Sequence, residues 1–250
     1  MNKSILSFMC VGLCAVACAE ETAFVGQTMG TIPVYSARKS LIVSVAFNEL
    51  SPVNGKAITA ANLVSTKNLS DGDTISIFMS DGTYATWTKQ GDVWTPPTTA
   101  FRLGANGLEQ TDTGVDASTV GSAIGEGFWL IRKNPSATTP FYIYGAVVDP
   151  TNKEIKQGKN LLGNPLSGDA TPTFTTANKG DKIGIFAVDG ASLAEYEYNG
   201  TNWGYWGKSD SSPYLPTFKT VNLVVRKGEG FWYNNKGTSV ITVSWTPSAK

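Results

Sequence analysis

Short alternating stretches dominate this chain. In Gly180-Asp181-Lys182-Ile183-Gly184-Ile185-Phe186, Ile183 and Ile185 fall on one side and Lys182, Gly184 and Phe186 on the other. That is the period of a β-strand. Glu195 and Glu197 then alternate with Tyr196 and Tyr198. Asp189-Gly190 lies between these runs and Asn199-Gly200 follows them, both pairs suited to positive φ in tight hairpin turns. Two hairpins in series predict a meander. Helical periodicity is scarce. Ile58 to Val64 suggests a short turn or two, and the stretch near Phe174 to Ala177 less still. The pattern predicts an all-β fold, arranged as two tandem β-sandwich or open-barrel units. A single larger sandwich shared by both also fits.

The reason to expect two units is a repeat. Asp71-Gly72-Asp73-Thr74-Ile75-Ser76-Ile77-Phe78, then Asp81-Gly82, answers Lys179-Gly180-Asp181-Lys182-Ile183-Gly184-Ile185-Phe186, then Asp189-Gly190, at an offset of 108. Trp87, Gly91 and Trp94 answer Tyr196, Gly200 and Trp203 at 109. Gly125-Glu126-Gly127-Phe128-Trp129 recurs identically as Gly228-Glu229-Gly230-Phe231-Trp232. The openings align loosely, Ser40 to Val45 with Asn160 to Pro165. The expected organisation is a leader at 1–19, a lead-in at 20–35, β units at 36–149 and 156–250, and a linker at 150–155. Within Gly-Glu-Gly-Phe-Trp, the first glycine permits a sharp turn and Phe-Trp starts a strand with one ring on each face.

The first residues read as a secretory signal. Asn2-Lys3 gives a positive start, and the apolar run Ile5 to Val16 falls short of the roughly 20 residues that cross a bilayer. Ala17-Cys18-Ala19 sets small residues before a cut at Glu20. A competing reading makes Cys18 the lipid-bearing first residue of a tethered protein, since Ala15-Val16-Ala17-Cys18 is a partial lipoprotein box without its usual leucine. All three cysteines lie in this leader, so the exported chain has no disulfide framework and must cohere by core burial.

Charge and residue types exclude several functions. Without Lys3 the chain carries 19 basic and 20 acidic residues, offering nucleic acid or anionic membranes no bulk attraction. No later run is apolar for about 18 residues, so no transmembrane helix is expected. The chain contains no histidine, which removes Ser-His-Asp chemistry and histidine metal sites. Gly121, Gly125 and Gly127 lead into a strand instead of a helix, so they do not form a phosphate loop, and no cofactor is expected.

Taken in order, Asn160-Leu161-Leu162-Gly163-Asn164-Pro165, Gly180-Asp181-x-Ile183, Asn199-Gly200-x-x-Trp203 and Gly228-x-Gly230-Phe231-Trp232 resemble exported bacterial repeats of the Trp-Asn-Leu-Ile-x-x-Pro … Gly-x-Gly-Tyr-Trp kind. The resemblance spans most of the chain beyond the leader, once per unit. The first copy departs from it, with Val45-Ala46 where the second has Pro165, and Lys159-Asn160 lacks the usual Trp. The resemblance implies a β module with a cell-envelope or extracellular address, and brings no catalytic residues with it.

Candidate residues divide between core and surface. Trp94, Phe128, Trp129, Trp203, Phe231 and Trp232 recur between the copies and read as repeat core, although an aromatic on a β face also suits stacking against a sugar ring. Tyr205 and Trp206 have no counterpart in the first copy, and with Tyr214 they are the surface candidates for a ligand. Glu126 and Glu229 suggest a carboxylate-dependent glycoside hydrolase, but one glutamate per separate unit fits a turn or strand edge better. Asp71, Asp73, Asp112 and Asp116 match no calcium-loop spacing and read as turn residues. The expected function is a non-enzymatic exported protein with a structural, assembly or adhesive role and envelope proteins or glycans as partners. A carbohydrate-binding module is the alternative.

Export makes a direct prediction. Intact-mass measurement of the chain from its source envelope should show loss of residues 1–19. A species beginning at a lipid-modified Cys18 identifies the tethered form, and an unprocessed chain contradicts both readings.

Overall fold

A computed structural model describes residues 29–47, 58–79, 81–96, 100–104, 107–111, 116–147, 152–186, 193–208 and 216–248. The leader with Cys18, and also Asp112, Asp189-Gly190 and Tyr214, lie outside them. The fold is all-β. The first half of the chain forms β1 (Met29–Ser36), β2 (Ser40–Ser44), β3 (Ile58–Thr59), β4 (Thr74–Phe78), β5 (Tyr84–Gln90), β6 (Val93–Thr95), β7 (Ala100–Gly104), β8 (Gly107–Thr111), β9 (Gly121–Ser122), β10 (Gly127–Ile131) and β11 (Ser136–Ala146). The second forms β12 (Lys153–Ile155), β13 (Gly158–Gly163), β14 (Ala170–Phe174), β15 (Lys182–Phe186), β16 (Leu193–Tyr198), β17 (Trp203–Lys208), β18 (Pro216–Thr220), β19 (Gly230–Asn235) and β20 (Ile241–Pro247). The predicted turn after Ile58 is a single 3₁₀ turn, Ala60–Asn62.

The two halves pair their strands in the same order. One long sheet runs β2-β10-β4-β5-β6 and the other β13-β19-β15-β16-β17-β18. A short sheet accompanies each, β1-β11 and β12-β20-β14. In the first half Ile32, Val34, Phe141 and Ile143 of the short sheet pack with Leu41, Val43, Ile75, Ile77, Trp87, Phe128 and Leu130 of the long one. In the second half Ile155, Ile241 and Val243 meet Leu162, Ile183, Ile185, Phe231 and Tyr233. Each core therefore lies between two sheets.

Local chemistry fixes a hairpin turn in each half. Gly82 and Gly200 sit at positive φ in the turns after β4 and β16. Asp81 accepts from the Thr83 N–H, and Asn199 from the Thr201 and Asn202 N–H groups. The buried aspartate of each Gly-Asp pair holds its own turn to the end of the Phe-Trp strand. Asp73 accepts from the main-chain N–H of Ser70 at 2.9 Å and of Lys133 at 2.7 Å. Asp181 accepts from those of Asn178 and Lys236, and from the Tyr233 hydroxyl, each at 2.7 Å. Burial, reinforced by that bond, pushes the Tyr233 phenol far above its ordinary range and keeps it protonated. Asp71 and Asp116 are likewise turn residues, bonded to Gly91 and Ser118.

Three expectations need correction. The lead-in contributes most of β1, whose Ile32 and Val34 are core, and the linker contributes β12, whose Ile155 is fully buried. Neither strand has a local partner, because each pairs with the last strand of its half. The openings align one residue away from the sequence match. Val43 pairs with Phe128 while Leu162 pairs with Phe231, which places Ser44 opposite Gly127 and Gly163 opposite Gly230. A shift of one residue exchanges the faces of a strand, and so only the pairing partner fixes it. Trp129 and Trp232, read as repeat core, are half-buried on the face opposite the buried Phe128 and Phe231.

The core assignment yields a denaturation test. Phe128→Ala and Phe231→Ala should each cost about 3–5 kcal/mol. Trp129→Ala and Trp232→Ala should cost markedly less. The reverse order in urea unfolding contradicts the assignment of faces.

Candidate functional site

Each Gly-Glu-Gly segment meets the opening strand of the opposite half. Gly125 and Gly228 adopt positive φ, at 80° and 72°, and turn the chain into β10 and β19. The Ser44 N–H donates to the Gly228 carbonyl at 3.0 Å, and the Gly163 N–H donates to the Gly125 carbonyl at 2.9 Å. Within each half, the Val45 N–H donates to the Glu126 carbonyl and the Asn164 N–H to that of Glu229. Ser44 and Gly163 hold equivalent places, as do Val45 and Asn164. Each of these four bonds thus has a counterpart under a local two-fold exchange of the copies. The bridges Val43 to Glu229 and Leu162 to Glu126 obey the same exchange.

Close approach explains the second glycine of the motif. A Cβ on Gly127 would stand 2.8 Å from the Leu162 carbonyl oxygen and 2.9 Å from the Ile42 side chain. Gly230 is confined by the same two groups. Ile42 and Leu161, both buried, fill the seam.

The glutamates serve this seam. Lys153 Nζ lies 2.6 Å from Glu126, which also accepts from the Ser122 hydroxyl at 2.7 Å and the Ala123 N–H at 2.9 Å. Burial pushes the Glu126 carboxyl up, but the Lys153 charge and these hydrogen bonds outweigh it and hold it below the usual carboxylate range. Glu229 pairs with Arg38 at 3.2 Å, and Arg226 stands 3.8 Å away. Each glutamate therefore takes a cation from the opposite copy.

Beside the Glu126–Lys153 pair opens a groove of about 1310 Å³, lined by both halves. Phe78 and Tyr84 come from the first, Trp232, Lys156 and Lys159 from the second. The ring of Phe78 lies 5.3 Å from that of Tyr84 and meets Trp232 edge-on at 5.2 Å. Tyr84 is 45% exposed. Burial raises its phenol, against a hydrogen bond from Trp129, so it remains a neutral hydroxyl.

The other candidate residues lie elsewhere. Trp94 is buried in the first core, and Trp203 is half-buried against Phe174 and Tyr233. Tyr205 and Trp206 are exposed, at 43% and 59%. Being adjacent in β17 they point to opposite faces, so they do not form one platform for a sugar ring. Tyr205 lies toward Tyr196, and Trp206 stands edge-on to Phe218 at 5.3 Å. No group of three or more metal-ligating side chains gathers among the described residues.

Sequence reasoning gave Glu126 a turn or strand-edge role and Trp232 a core role, without the groove they share. It missed Phe78, Tyr84, Lys156 and Lys159 as groove residues. The usable signal was Phe78 and Tyr84 flanking the Asp81-Gly82 turn on one face. Lys156 and Lys159 carry no local sign that they line a groove with residues of the other half. No family model, curated protein or solved structure matches this chain.

The Glu126 geometry sets a pH dependence. Its folded pKa lies below the ordinary 4.5, so its stabilisation is complete above that value and lost as the pH falls through the folded value. The stability gap between the native chain and Glu126→Gln should shrink from about pH 6 to about pH 3 in urea titrations. A constant gap contradicts the ion pair's role.

Proposed function

We propose that this chain is a non-enzymatic exported protein of the cell envelope or extracellular space, with an assembly role exercised through the ribbon β16-β17-β18. The observation that carries this reading is the two-sided exposure of apolar side chains at the end of the second long sheet. Leu193 is 45% exposed, and with Trp206 and Phe218 it lies on the outer face, while Tyr205 lies on the other. Exposed apolar side chains on one sheet face mark a contact surface.

The partner fitted to it is an extended segment of an envelope protein. Among the described residues β18 pairs only with β17, so its other edge presents main-chain donors and acceptors. A strand added there is held by backbone hydrogen bonds and covers Trp206 and Phe218. The alternation that separates Tyr205 from Trp206 disfavours sugar stacking here and favours a partner that wraps an edge. The engagement of both motif glutamates by cations across the seam supports a structural use of these carboxylates over a hydrolytic one.

The experiment is retention on washed envelopes from source cells lacking the chain, combined with amide hydrogen exchange. The native protein should be retained, and residues 216–220 should gain protection when bound. Trp206→Ser and Leu193→Ser should each reduce retention about tenfold without moving the unfolding midpoint. Full retention by both variants, or no added protection at 216–220, contradicts the proposal.

A further inference from the structure

We infer that the groove between the two copies is a binding site for a neutral oligosaccharide chain, separate from the ribbon contact proposed above. Three aromatic side chains meet there in sequence. Phe78 stands between Tyr84 of its own hairpin and Trp232 of the other half, with ring centroids 5.3 and 5.2 Å apart. The wall they make crosses from one copy to the other. Aromatic faces match the C–H face of a pyranose ring, and the polar ends of Tyr and Trp reach its hydroxyls. Tyr84 keeps a neutral hydroxyl that accepts from Trp129, which leaves its own O–H as a donor.

The polar lining selects the ligand class. Glu126 and Lys153 neutralise each other at 2.6 Å. Glu154, Lys156, Gln157 and Lys159 also line the groove, and their side chains make no hydrogen bond or ion pair with another described residue. Positive and negative groups are interspersed, together with an amide. That mixture offers donors and acceptors to hydroxyl groups at many angles. It gives no single-signed field for a polyanion. The groove of about 1310 Å³ is lined from β4 and β5 to β12, β13 and β19, which suits a chain of sugar units better than a single one.

The test is a glycan array probed with the full exported chain, followed by titration with the neutral oligosaccharides that score, monitored by tryptophan fluorescence. Trp232→Ala and Tyr84→Ala should each weaken binding at least about tenfold. Trp232→Phe, which keeps an aromatic ring against Phe78, should retain intermediate affinity and an unchanged unfolding midpoint. Trp206→Ser should bind as the native chain does, so that loss of the ribbon contact and loss of glycan binding are separable. The inference is overturned if no neutral oligosaccharide binds at millimolar concentration. It is equally overturned if Trp232→Ala and Tyr84→Ala bind normally, or if only acidic glycans or apolar peptides are taken.

Discussion

The reciprocal exchange of main-chain hydrogen bonds, in which each Gly-Glu-Gly turn accepts from the opening strand of the opposite copy, is the constraint on which the rest of this molecule depends. Ser44 and Gly163 stand at the ends of β2 and β13, where a buried N–H without an acceptor is costly. Each finds its acceptor on the turn of the opposite copy. Because the contact is self-complementary, one turn and one strand end, each occurring twice, supply both sides, as the same patch does in a symmetric dimer. Only glycine admits the backbone that passes over Gly127 and Gly230. The recurrence of the motif glycines in both copies thus has a steric and hydrogen-bonding reason.

Around this symmetric backbone the side chains have diverged. Where the first copy has Leu130 and Arg132, the second has Tyr233 and Asn235. Tyr233 bonds to Asp181, and Asn235 secures the following turn at Ser239 and Gly237. Arg132, buried, donates to the Ser36 carbonyl and lies over Phe141. Asn164 bonds the carbonyls of Gly168, Val225 and Arg226, whereas its counterpart is the apolar Val45. The ion pairs across the seam also use different cations, Lys153 and Arg38. A symmetric frame with asymmetric decoration leaves a groove walled by Phe78, Tyr84 and Trp232, and a ribbon, β16 to β18, extended on one copy by β18.

Much of the fold was legible because its signals are contiguous. The Asp81-Gly82 and Asn199-Gly200 turns, the alternation in β4 and β15, and the repeated Phe-Trp all lie within a few residues of what they specify. What stayed hidden depends on distant partners. β1 and β12 are strands because β11 and β20 return to pair with them, and nothing local in Lys153-Glu154-Ile155 announces this. The repeat was visible in Trp129 and Trp232, but repetition does not distinguish a side chain needed in a core from one needed at a seam. Alternation did place one ring of each Phe-Trp pair on either face, and that local rule, followed further, puts the tryptophans outside. The same rule separates Tyr205 from Trp206. The groove was beyond reach, because its walls come from residues over a hundred positions apart.

The central claim is that the two halves are held by this exchange, and site-resolved amide hydrogen exchange tests it most directly. In the native chain the Ser44 and Gly163 amides should exchange as slowly as those of core strand residues. Gly163→Ala, which sets a Cβ against the Glu126 carbonyl and Ser44, should accelerate exchange at Ser44 in the opposite copy as well as at position 163 itself. Unaltered protection at Ser44, with the change confined to the second copy, would contradict the account.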